Sequence, residues 1–340
     1  VGVFEKFIER ELTGPVDLCT PDGQFNDEAT GWSRTPLHTA NLSGRFPRKK
    51  RWEYWCVTSP THLFSATIAH LDYAAQAIVY VMDFERKRFH ETVTIAPLGR
   101  GCSIEDDAAT FDTRKMQLSF RRTGDKTELS IARAKIGGTT LDAQFDIQHP
   151  MGQESCNVVI PWSPKQFVYT SKHACLPAQG EVGFGPASIN FNSNDSFACL
   201  DRVRGIWPYK TTWQWGAGSG FENGQTIGLN LGGTWTDGTS ATENAFSIDG
   251  QLTKVSEDLA WEYDKRDFTQ PWTIRTPISD QVRLTFTPFY ERVSKSNLLV
   301  VRSNMHQMFG YFSGTVKTED DRAVEITRLL GWVENHRVRW

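Results

Sequence analysis

The densest group of chemistry-bearing residues lies in CLDRVRGIWPYKTTWQWGAGSG, 199–220. In an extended chain alternate residues share a face, which sets Asp201, Trp207, Tyr209, Trp213 and Trp215 together unless Pro208 resets the register. A carboxyl at the end of an aromatic wall suits a pocket for a flat or greasy ligand. Apolar walls also raise a carboxyl pKa and make it a proton donor near neutrality. Arg204 would hold that carboxylate or bind a substrate anion. The plainer alternative is that the tryptophans are core and Asp201 pairs with Arg202 or Arg204.

A second group closes the chain, where Leu330, Trp332, Glu334, His336 and Trp340 share parity. Glu334 and His336 would stand ~7 Å apart on one face, fit for acid–base work or for two metal ligands. No third ligand is evident nearby, so neither a metal nor any other cofactor is expected. His306 and Gln307 open the preceding aromatic strand, and a hairpin would carry His306 towards the same barrel end. His173 with Cys175 beside Lys172, and Glu243 beside Asn244, complete the polar candidates. The chain has no G-x-S-x-G elbow, phosphate loop, G-x-G-x-x-G after a strand, or H-E-x-x-H.

The elements that must position these groups are strands. Period-two segments recur at 64–71, 76–84, 88–96, 115–122, 127–134 and 139–147. They recur again at 225–231, 243–249, 281–288, 297–303, 306–316 and 323–333. Gly124-Asp125, Gly137-Gly138, Asn223-Gly224, Asp237-Gly238 and Asp249-Gly250 separate them at hairpin spacing. Only VFEKFIEREL at the start suggests a helical turn. The expected fold is therefore all-β, two tandem antiparallel barrels over 1–210 and 211–340, with the seam in or just before the glycine-rich 216–224.

Composition agrees. The 340 residues include 12 Trp, 21 Phe and 8 Tyr, with 37 Lys and Arg against 40 Asp and Glu. That balance excludes a dedicated nucleic-acid binder, and Arg45, Arg48, Lys49, Lys50 and Arg51 read as a solvated run before a strand. No apolar run reaches the roughly 18 residues of a membrane span. Six scattered cysteines without C-x-x-C suggest free thiols and a cytoplasmic protein, although a start at Val1 leaves a removed leader open. The sequons at Asn41 and Asn194 decide nothing.

TGWSRTPLHTANL, SKHACLPAQGEV, CLDRVRGIWPYKTTWQW, IGLNLGG with TENAF, QPWTIRTP, HQMFGYFSGTV and LLGWVENHRVRW, in that order, resemble the bacterial domain-of-unknown-function 2804 family nearly end to end. That family is similar to the AttH and carotenoid hydratase group. The resemblance implies two lipocalin-like barrels and, through wider kin such as tocopherol cyclase, hydrophobic substrates. It also implies a role for Asp201, although Arg202 stands where those relatives usually have His. The expected function is cofactor-free hydration, isomerisation or cyclisation of a lipophilic small molecule, with Asp201 as donor. His306, Glu334 and His336 would supply or orient the base. Trp207, Tyr209, Trp213, Trp215, Trp332, His173, Glu243 and Gln307 would line the pocket. The alternatives are a carrier of a lipid or pigment, and carbohydrate binding or hydrolysis with Glu243, Asp201 and Glu334 as candidate paired carboxylates.

Overall fold

Alternating apolar and polar residues with turn-forming pairs between them produce antiparallel strands wherever one face is buried. The computed structural model describes residues 8–297 and 301–340. Among these, two large sheets account for almost every long strand. The first runs in space through Arg88–Pro97, Ala74–Asp83, His62–His70, Lys49–Thr58, Phe197–Ile206, Gln166–Phe184, Thr139–Gln148, Lys126–Ile136, Gln117–Thr123, Ala108–Asp112 and Cys102–Ile104. Its ends curl back, Arg88–Pro97 against Lys126–Ile136 and Cys102–Ile104 against His62–His70, into a nearly closed barrel. The second sheet has nine strands: Gln251–Lys254, Ala245–Ile248, Gln225–Gly233, Lys210–Glu222, Ala323–Arg339, Arg302–Lys317, Val282–Asn297, Trp272–Arg275 and Ala260–Glu262. It forms a half-barrel. The architecture is all-β and lipocalin-like in both halves.

Each sheet encloses its own apolar core. Phe64, Phe111, Phe120, Phe145 and Leu200 fill the first, and Trp272, Phe286, Phe312 and Leu329 the second. A third layer joins them: Tyr54, Tyr80, Met82 and Cys199 from the first sheet meet Trp215, Phe309 and Trp332 from the second. Gly228 lets the sheets touch. A Cβ there would lie 2.7 Å from the Cβ of Ala174, closer than real contacts allow.

The chain passes from one sheet to the other between Ile206 and Lys210, just before the glycine-rich stretch, and Gly216, Gly218 and Gly220 lie inside the strand Lys210–Glu222. They are glycine because Phe312, Leu329 and Val333 crowd that face of the strand. The opening segment is not helical over its described part. Instead, Glu11 forms a β-bridge with Trp32, while residues 1–7 lie outside the described residues. The expected strand 297–303 includes residues 298–300, also outside them; the neighbouring strand starts at Arg302. All six cysteines are free thiols. No helix among the described residues is long and apolar enough to cross a membrane.

Candidate functional site

The strand Phe197–Ile206 is central to the first sheet, and its two faces diverge. Odd residues Cys199, Asp201 and Val203 face the second sheet, joining the layer between the sheets. Even residues Ala198 and Leu200 face the first barrel's core, followed on that same face by Arg202 and Arg204. Asp201 and Arg204 therefore cannot serve one ligand side by side, which corrects the pairing expected from sequence.

On the odd face, Asp201 pairs across the sheet with Lys172, whose Nζ lies 2.7 Å from Asp201 Oδ1 and 2.9 Å from Glu243 Oε2. Glu243 comes from the second sheet's loop, and its carboxylate occupies the space a Gly232 side chain would take. Trp52 Nε1 donates to Asp201 Oδ2 at 3.1 Å and Trp235 Nε1 to Glu243 Oε1 at 3.1 Å. The ammonium also lies 4.9 Å from the Trp215 ring centroid. Burial raises the Glu243 pKa, opposed by Lys172; the two carboxylates lift that of Lys172 against its own burial. One ammonium thus holds two buried carboxylates, a dry arrangement in which every member depends on the others.

Beside it lies Glu334, 6% exposed. Gln307 Nε2 donates to its Oε1 at 2.8 Å and Trp213 Nε1 to its Oε2 at 3.4 Å. Burial pushes its pKa up to about 7, with Asp201 adding to the rise and Arg292 opposing it. Arg292 donates to Gln307 Oε1 at 3.0 Å and to Glu91, and Tyr54 and Tyr80 hydroxyls lie 2.9 Å apart next to them. Glu334 is thus a buried carboxyl held near neutrality.

Asp201, Glu243, Glu334, Gln307, Trp213, Trp215 and Trp332 converge between the sheets, with Trp207 in the adjoining cluster. The other candidates go elsewhere. His336 packs on Trp213 at 4.1 Å and bonds Ser303, and burial drives its pKa down to about 3, so it stays neutral. His306, one residue from Gln307, points the opposite way onto Glu291, 2.7 Å away, and Phe268. His173 binds Ser171 Oγ at 3.1 Å and lies near His149. Cys175 adopts φ 57° where the register shifts between His173 and Leu176, and burial pushes its thiol to about 12; no reactive pair forms. Tyr209 is 46% exposed. Among the described residues no group of three His, Cys, Asp or Glu is placed to hold a metal.

The expected aromatic wall is filled by itself. Trp207 lies 5.1–6.0 Å from Trp52, Trp162, Trp213, Trp235 and Trp340, ring on ring. A cavity of about 10 Å³ adjoins Lys172, Asn230 and Cys156, room for about one water. A larger one, about 320 Å³, opens on the even face, at the first barrel's mouth among Arg122, Arg202, Arg204, Tyr169 and His38. Sequence reasoning passed over Trp52, Arg292 and Arg122, and named Lys172 and Arg202 only as neighbours of other candidates. A lysine in an otherwise apolar strand was the available signal, because a buried ammonium requires carboxylate partners.

The family model for a domain of unknown function, DUF2804, matches residues 9–340. The chain belongs to the DUF2804 family. Its fold is similar to that of an AttH-type protein from Nitrosomonas europaea, with a TM-score of 0.51 and 12% identity over 86% of this chain and 93% of that one. Kievitone hydratase from Nectria haematococca gives 0.49 and 9% identity over 86% and 89%. CghA bound to Sch210972 gives 0.47 and 9% over 86% and 89%. At such identities likeness speaks for the fold of this DUF2804 chain alone. No curated protein matches it.

Proposed function

We propose that this protein performs cofactor-free acid–base chemistry on a lipophilic small molecule, by hydration, isomerisation or cyclisation, with Glu334 as proton donor. The observation that carries the reading is the buried Glu334 carboxyl between Trp213 and Gln307, lifted to about 7. Such a group gives up a proton to an alkene or carbonyl at neutral pH and is basic enough to recover it. Asp201 and Glu243, clamped by Lys172, are fixed charges beside it, and the Trp213 and Trp215 faces stabilise a developing cation. Substrate enters at the Trp213, His336 and Trp340 end, where these side chains are partly exposed. In this reading residues 1–210 and 211–340 are two units whose facing sheets hold the site between them.

The test needs no prior substrate. The protein is incubated with a lipophilic metabolite extract in deuterated, oxygen-18 water, and products are read by mass spectrometry. Deuterium, with or without oxygen-18, should enter one compound class, and Glu334→Gln should abolish this while Asp201→Asn lowers it. Recovery of every bound compound without isotope would overturn the reading. That result would favour the second reading, a non-catalytic carrier, which the separate cavity at the barrel mouth supports. A glycosidase has less support, because Asp201 and Glu243 share one buried ammonium and do not face each other across an open cleft.

A further inference from the structure

The even face of Phe197–Ile206 turns from apolar to charged in one step, from Leu200 to Arg202. Three guanidiniums, Arg122, Arg202 and Arg204, border the same cavity of about 320 Å³. Their one buried counter-charge is Glu53, whose Oε1 lies 2.8 Å from Arg204 Nη2 and 3.1 Å from Arg202 Nε. Arg204 is otherwise spent on the carbonyls of Trp52, Val203 and Glu105. Among the described residues the Arg202 guanidinium has no further partner. Arg122 forms no ion pair among them, and its guanidinium donates only to the carbonyl of Gly124, at 3.4 Å.

The remaining charges do not cancel this excess at depth. His149 and His173, below the arginines, are held neutral, since burial and the neighbouring Arg122 and Arg202 depress both, His149 to about 4. Asp106 and Asp107 also line the cavity and act on Arg204 and Arg122, but both are exposed, and water screens them more than it does Glu53. Two like-charged guanidiniums side by side with free donors form a fork for a planar anion. Opposite them, His38 is 92% buried by its 8% exposure; its Nε2 meets the Ala29 carbonyl at 2.9 Å and its Nδ1 has no partner. Nδ1 is itself covered, so His38 forms part of the wall and offers no open acceptor. Tyr169, Leu37 and Pro36 supply apolar walls.

We infer that the mouth of the first barrel is a second ligand site, which binds a small carboxylate-bearing molecule through Arg122 and Arg202. The volume is at the small end of ordinary ligand pockets. The site is independent of Glu334, which belongs to the opposite face.

Calorimetric titration of the full chain tests this with 4-hydroxybenzoate, benzoate, octanoate and hydroxyoctanoate, each against its uncharged primary amide. At least one carboxylate should bind about tenfold or more tightly than its amide. Arg122→Gln, at a half-buried residue without an ion pair among the described residues, should weaken that carboxylate about tenfold while leaving amide binding alone. Glu334→Gln should change none of these. Equal binding of acid and amide, absence of binding by all four acids, or an unaltered Arg122→Gln would each overturn the site. Binding of inorganic phosphate as tightly as the best carboxylate would reduce it to a general anion patch and overturn the carboxylate assignment.

Discussion

Neighbouring residues of one strand, Asp201 and Arg202, lie in opposite kinds of surroundings. Asp201 faces a dry layer in which one ammonium balances two carboxylates and indole rings fill the rest. Arg202 faces an open mouth in which guanidiniums outnumber buried carboxylates. The comparison teaches that charge alone does not mark a ligand site. A packed cluster of paired charges holds the two sheets together, whereas guanidiniums bordering a cavity leave room for a ligand.

Removing one charge from each face should separate them most strongly. Lys172→Met leaves Asp201 and Glu243 buried without their cation and should cost about 3–5 kcal/mol in urea unfolding. Arg122→Gln should stay within about 0.5 kcal/mol. A small loss at Lys172 would mean that water reaches the layer between the sheets.

Acidity should act with opposite sign on the two faces. Folding raises the proton affinity of Glu334 from 4.5 to about 7. Its contribution to stability is therefore complete below about pH 4.5 and is lost as pH rises to about 7, by up to ~3 kcal/mol. Glu334→Gln should remove this fall from a series of unfolding curves over that range. His149 runs the other way and more weakly, being partly exposed. Its folded pKa falls from 6.5 to about 4. Stability from its neutral form is present above pH 6.5 and lost as pH drops towards 4. His149→Gln should flatten that acid limb, and a histidine ring whose carbon-bound proton shifts titrate near 6.5 would break the comparison.

The smallest effect belongs to a residue on neither face. Tyr209 is exposed beyond the end of its strand, and Tyr209→Ser should alter stability by no more than about 0.5 kcal/mol and leave carboxylate binding unchanged.

Parity along the chain was legible from the residues alone. Asp201, Trp207, Trp213 and Trp215 do share the surface between the sheets, and so do Trp332 and Glu334, because a period of two survives any sheet geometry. His306 and Gln307 show where the reading stopped. Both sit at one end of one strand, but successive side chains point apart, so only Gln307 reaches Glu334.

The sequence by itself determined an all-β chain, its strand faces and its family, since turn chemistry and alternation are local and seven ordered segments are specific. Only the tertiary structure decided which face stays open. The Trp207 face is closed by Trp213 and Trp235 nearby in the chain and by the distant Trp340, and it becomes packed core. The Arg202 face lies at a barrel mouth that nothing fills. Whether an aromatic wall is a pocket or a core depends on what stands opposite it, and that partner is set by long-range packing, which leaves no mark on spacing within a strand.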